Sequence, residues 1–212
     1  YAAAVACEFA VCSKEDKERF LLLARDYANH NSDDFVAARH KDWYLGHSWA
    51  SGTCQPANPN GRNQESSSEA VHAYEASYLL ASRLGDRHLQ QASRLYAATE
   101  VDAAKRYWHA ATSSQVPRAY ERPVVGMRWS TLAQFGTWFG GDPVFAYGIQ
   151  LIPLTPYAEV RDSTAFSRAL LPFYERDCDR QRINQIVASR PTHCLISTQA
   201  TKCARTRAGR SR

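Results

Sequence analysis

Apolar residues recur at helical spacing over much of this 212-residue chain. Between Lys14 and Asn29, the residues Phe20, Leu21, Leu23, Ala24 and Tyr27 gather on one side of a 3.6-residue period, which predicts an amphipathic helix. Ser66 with Glu69 three positions later has the spacing of a capping box. A helix is therefore expected to start at Ser66, run to about Arg83 and stop at Gly85, a residue able to take the left-handed position after a helix end. A third helix is expected over Leu89–Trp108, with Leu95, Ala98, Val101, Ala104 and Trp108 near one face. Weaker helical patterns follow at Ser130–Phe139 and Ser163–Tyr174, and the residues from Tyr1 onward read as the middle of a helix. Strand-like stretches are short, at Val124–Met127 and Gly148–Leu151. Asn31–Gly61 is irregular and ends in a turn cluster from Pro56 to Gly61, and Gly140-Gly141-Asp142-Pro143 reads as a turn. The pattern predicts an all-α scaffold whose long loops carry the chemistry.

One stretch departs from simple patterning. Asp42-Trp43-Tyr44-Leu45-Gly46-His47-Ser48-Trp49 and then Asn63-Gln64-Glu65-Ser66-Ser67-Ser68-Glu69 crowd rings, amides and carboxylates together with few aliphatic side chains. Such a mixture suits a sugar chain: rings stack on pyranose faces, and two carboxyl groups can cleave a glycosidic bond. Glu65 stands just before a helix start, where free backbone N–H groups favour a carboxylate. On these residues alone it is either a catalytic carboxylate or a solvated loop residue, and Glu69 is either its partner or simply the third residue of a capping box. His47 is a substrate-binding or proton-relaying residue, or one hydrogen-bonded inside a packed loop. Asp42 binds a hydroxyl or anchors the loop, and Trp43, Tyr44 and Trp49 are stacking platforms or the loop's own small core. His40, His47, His72 and Asp42 match no recognised metal-ligand spacing, so no metal is expected.

Charge narrows the picture further. Eight of the 26 basic residues lie from Arg180 to Arg212, where there is no Asp or Glu, so residues 1–179 hold 18 basic against 21 acidic residues, a net charge of −3. The overall charge of +5 therefore belongs to the tail, and nucleic acid is not expected as a partner. The tail, 180–212, reads as a disordered extension or out-of-frame sequence. No apolar run approaches the roughly 20 residues that span a bilayer. The six cysteines form no CxxC pair and leave disulfide pairing open. A serine-nucleophile elbow, a glycine-rich phosphate loop and a dinucleotide fingerprint are all missing from the sequence.

DWYLGHSWASG from Asp42 and NQESSSEAVHAY from Asn63 closely resemble glycoside hydrolase family 81, the endo-β-1,3-glucanases. YAAAV at Tyr1, ATEVDAAKRYWH at Ala98–His109, VVGMRWSTLAQFGTWFG at Val124–Gly140 and YGIQLIPLTPYAE at Tyr147–Glu159 match in the same order, so the likeness covers about Tyr1 to Cys178. The resemblance implies that residues 1–179 are part of an (α/α)6 toroid and that the reaction is inverting hydrolysis inside β-1,3-glucans such as laminarin or callose. It implies Glu65 as general base and Glu69 as the second motif carboxylate that supports it. Asp42, Trp43, His47, Trp49, Asn63 and Gln64 are expected along the cleft, with no cofactor, a monomeric state, and a secreted or wall-associated setting. In the family the general acid is an Asp in a segment upstream of the residues matching Tyr1–Ala4, a segment not among these 212 residues. The expectation is little or no glucanase activity from these residues alone. The rival reading is a non-catalytic β-1,3-glucan-binding protein.

Overall fold

The structure, a computed structural model, describes residues 1–9, 11–31, 35–50, 59–152, 155 and 157–177. The turn-forming residues Pro56–Asn58, four of the six cysteines and the basic tail lie outside the described residues. Helices dominate: α1 (Ala2–Glu8), α2 (Lys14–Ala28), α3 (Ser67–Leu84), α4 (Arg87–Tyr107), α5 (Pro143–Ile149), α6 (Ala158–Arg161) and α7 (Thr164–Asp177). Among the described residues none of them is long and apolar enough to cross a membrane. Three short strands, β1 (Asn63–Gln64), β2 (Met127–Trp129) and β3 (Ala133–Gln134), form one antiparallel sheet in the order β1-β2-β3.

Helix ends follow from local chemistry. Ser13 and Asp16 close a full capping box at the start of α2. Ser66 caps α3, its hydroxyl accepting the Glu69 N–H at 3.2 Å. Gly85 ends α3 at φ +77° and Asp86 immediately caps α4, so the two long helices form a tight αα-hairpin. Their facing sides bury Tyr74, Leu80, Ala81, Leu89, Tyr96 and Ala97, against which Ala24 and Ala28 of α2 also pack. Small residues on α2 let it approach closely, and Tyr96 Oη donates to the Asn29 carbonyl at its end (2.9 Å). The Cys7–Cys12 disulfide ties α1 to the segment leading into α2. A second core joins Val124, Ala146, Tyr147, Phe166 and Leu170 between α5 and α7.

The expected helices at 14–29, 66–83, 89–108 and 163–174 are present to within a few residues. Two expectations are corrected. Ser130–Phe139 is no helix: Gly126 N–H donates to the Gln134 carbonyl and Trp129 N–H to that of Leu132, folding the stretch back as the β2–β3 hairpin. Gly126 permits this, because a Cβ there would lie 1.9 Å from the Phe135 carbonyl oxygen. Gly148–Leu151 is no strand either. Gly148 and Ile149 end α5, which Pro143 starts from Asp142 with a pre-set φ and no N–H to lose, and Gln150 and Leu151 form the turn after it. Of the expected strand Val124–Met127 only Met127 joins the sheet, while Val124 and Val125 are buried just before it.

Candidate active site

Glu65 leaves strand β1 just before α3, and its backbone is held from several sides. Asn63 and Gln64 pair with Trp129 and Arg128 of β2, Gln64 Nε2 donates to the Ser48 carbonyl at 2.8 Å, and Gln150 Nε2 donates to the Glu65 carbonyl at 3.0 Å. Its side chain, 8% exposed, accepts the Trp138 backbone N–H on Oε1 at 3.1 Å. Burial raises the pKa of this carboxyl and the Glu69 charge adds to that, while the Trp138 N–H and the Thr137 hydroxyl resist it. The net upward shift makes Glu65 a stronger base than a free glutamate.

Glu65 and Glu69 lie on the wall of an open cleft of about 390 Å³, whose described lining also includes Trp49, Asn63, Gln64, Tyr74, Trp138 and Phe139. Glu69 is exposed, and the Ser66–Glu69 pair forms only the serine half of a capping box, so its carboxylate stays available to the cleft. A carboxylate of raised basicity, a second one nearby and a rim of rings can hold a carbohydrate and deprotonate a water beside it. Among the described residues no group of three or more His, Cys, Asp or Glu side chains could hold a metal ion.

Asp42, Trp43 and His47 sit differently from Trp49, Asn63 and Gln64, for none of the three lines the cleft. Asp42 Oδ1 accepts from the Tyr44 and Leu45 N–H groups and Oδ2 from the Trp49 indole, a loop-closing arrangement. Burial pushes its pKa up, but these three donors outweigh it and keep the group below the ordinary carboxylate range. His47 is 1% exposed, edge-on to Trp49 and Trp108, with Nδ1 on the Ser48 carbonyl at 3.0 Å. Burial drives its pKa down to about 4 and keeps it neutral. Trp43 lies over the edge of Tyr96 with more than half its surface in solvent.

The family model for the "Glycosyl hydrolase family 81 C-terminal domain" matches residues 1–187. The chain belongs to glycosyl hydrolase family 81. This family 81 chain is similar to the glucan endo-1,3-beta-D-glucosidase of Thermobifida fusca, with 40% identity over 135 residues, 63% of this chain and 18% of the relative. The Glycine max protein of the same name is 33% identical over 145 residues, 65% of this chain and 21% of its own length. A solved structure of a glycoside hydrolase family 81 mutant from Clostridium thermocellum superposes with a TM-score of 0.67 at 27% identity, covering 88% of this chain and 25% of that one. The chain thus spans about a fifth of the curated relatives' length.

Several residues in and behind the cleft of the family 81 chain escape a reading of composition and spacing. Trp138, Phe139 and Thr137 lie within VVGMRWSTLAQFGTWFG, a block that carries the resemblance but shows no chemistry of its own. The signal available was its two adjacent rings flanked by glycines, at Gly136 and Gly140. Lys41 and Glu100 were equally silent. They form an ion pair of 2.9 Å with side chains 0% and 1% exposed, directly behind Tyr74.

Proposed function

We propose that the cleft is the water-activating half of an inverting endo-β-1,3-glucanase site, with Glu65 as general base. The observation that carries this is the Glu65 carboxyl, made more basic by burial and Glu69, yet aimed by the Trp138 N–H into a ring-lined cleft. Glu69 tunes Glu65 through its charge. Trp49, Asn63 and Gln64, each 3–6% exposed, form the wall that the glucan lies against, while Asp42 and His47 hold the loop behind it and Trp43 stands outside the described lining. The names of the relatives support β-1,3-glucan as the substrate class. The Cys7–Cys12 disulfide supports an extracellular or wall-associated setting, since such bonds persist in oxidising compartments.

Inversion needs two carboxyl groups roughly 6.5–9.5 Å apart, one protonating the leaving oxygen while the other activates water. We assign only the second role here, and expect these 212 residues to bind glucan better than they cleave it. The test is laminarin hydrolysis by the longest form of the protein its gene encodes, with NMR of the first anomer released. Glu65→Gln is expected to lower kcat by about 10²–10⁴-fold, the range for loss of general base catalysis. Full activity in Glu65→Gln, or a β-anomer as first product, overturns the assignment. Laminarin hydrolysis by residues 1–212 alone would overturn the expectation for the isolated chain.

A further inference from the structure

Trp138 and Phe139 occupy the tip of a tight turn beside Glu65, and both rings face solvent, 65% and 56% exposed. The turn is closed four times over. Thr137 N–H donates to the Gly140 carbonyl (3.0 Å), Gly140 N–H to that of Thr137 (3.2 Å), and the Thr137 hydroxyl both accepts the Phe139 N–H (3.2 Å) and donates to the Gly140 carbonyl (3.2 Å). Gly140, at φ +140°, is required there, and a Cβ on it would press the Phe145 ring at 3.4 Å. Trp138 leans edge-on against Trp129 of β2, with ring centroids 5.8 Å apart. Phe139 in turn leans on Phe145, with ring centroids 6.2 Å apart. Two large rings are therefore held in place with more than half of each exposed, an arrangement that limits the entropy lost when a ligand stacks on them.

We propose that the Thr137–Gly140 turn is a sugar-stacking platform, on which Trp138 and Phe139 bind a glucosyl unit of a β-1,3-glucan immediately beside Glu65. The proposal rests on the reading of the cleft given above. A β-glucosyl ring carries its hydroxyls equatorially, so its faces are C–H surfaces that match an aromatic plane. The same residue serves twice: the Trp138 backbone N–H holds Glu65 Oε1 while its side chain holds the sugar. The distance between bound ring and base is then set by a single residue.

The test is calorimetric titration of the 212-residue chain with laminarihexaose. Trp138→Ala is expected to raise Kd about tenfold, equivalent to about 1.4 kcal/mol, and Phe139→Ala to raise it less. Trp138→Phe is expected to recover most of the affinity, and Trp138→Ala to leave the thermal midpoint close to wild type because the ring is exposed. An unchanged Kd in Trp138→Ala, or a lower melting point with unchanged Kd, overturns the platform and leaves Trp138 a packing residue. A wild-type chain that binds no laminarihexaose removes the reading of the cleft itself. Wild-type binding that Trp138→Ala does not weaken removes only the platform.

Discussion

Breaking the Lys41–Glu100 pair should damage the protein far more than an ion pair usually warrants. Lys41 Nζ is enclosed and makes three contacts, to Glu100 Oε1 at 2.9 Å, the Gly46 carbonyl at 2.8 Å and the Tyr96 carbonyl at 3.2 Å, with the Tyr74 ring 5.2 Å below. Burial pushes Glu100 up and Lys41 down, and each is drawn back toward its charged form chiefly by the other. Removing one partner strands the other charge away from water, which costs about 3–5 kcal/mol. For a chain of this size that corresponds to a drop in Tm of roughly 6–20 °C, at about 2–4 °C per kcal/mol. Lys41→Met and Glu100→Leu should each show this loss in urea unfolding followed by far-UV circular dichroism. The double variant should recover most of it, because an apolar pair of similar volume replaces a buried ion pair at little net cost. Single variants that lose less than about 1 kcal/mol, or losses that simply add in the double variant, would refute the reasoning. The site should feel the change as well. Tyr74 Oη shares a 2.8 Å hydrogen bond with Ser48 Oγ, and the Ser48 carbonyl receives Gln64 beside Glu65.

Three further outcomes follow from the same geometry. Burial, with Arg161 and Lys105 adding to it, drives the pKa of His109 down to about 3. A folded pKa depressed below the unfolded 6.5 gives stability that is full above pH 6.5 and lost as pH falls, by about 1.4 kcal/mol per unit for each such group. His109→Gln should therefore flatten the fall of the urea midpoint between pH 6 and pH 4, and an unaltered slope counts against the neutral, buried His109. Gly126→Ala must open the β2–β3 hairpin, since its Cβ meets a backbone oxygen. Gly85→Ala, strained at φ +77° but facing open space, should cost only about 1 kcal/mol. Comparable melting points for the two would contradict this. Asp42→Ala frees two N–H groups and the Trp49 indole and should lose about 1–3 kcal/mol with a shift in tryptophan fluorescence. A variant as stable as wild type would return Asp42 to the cleft as a ligand-binding residue.

The helix from Ser66 to Gly85 was legible from its capping spacing and closing glycine, and the one over Lys14–Asn29 from its apolar stripe, because such signals are local. Ser130–Phe139 misled because its apolar spacing fits a helix, whereas its conformation is decided by a glycine at position 126 that lets Phe135 approach. Gly148–Leu151 misled because the last two residues of a helix starting at Pro143, with the turn that follows it, imitate the short apolar run of a strand. At the site, Glu65 and Glu69 were singled out as candidates by residue type and position next to a helix start. Trp138 was not, since it reaches Glu65 with a backbone N–H, a group every residue but proline carries. Asp42 and His47 were drawn toward the cleft by their chemistry, but three donors claim one and the rings of Trp49, Tyr107 and Trp108 pack around the other.

The small sheet has a consequence for how the molecule comes together in time. Trp138 and Gln150, the two residues that grip Glu65, are 73 and 85 positions away along the chain. The α3–α4 hairpin lies inside that interval and is joined by a single tight turn. Short-range helical contacts form early, and closing so long a loop is slower. The hairpin is thus expected to be in place before Glu65 acquires its surroundings, and the sheet to open more readily than the helices it bridges. Hydrogen exchange should see slow amides along Leu80–Ala104 and faster ones at Arg128 and Trp138. The surroundings of Glu65 would then be the last part of this structure to be completed and the first to be undone.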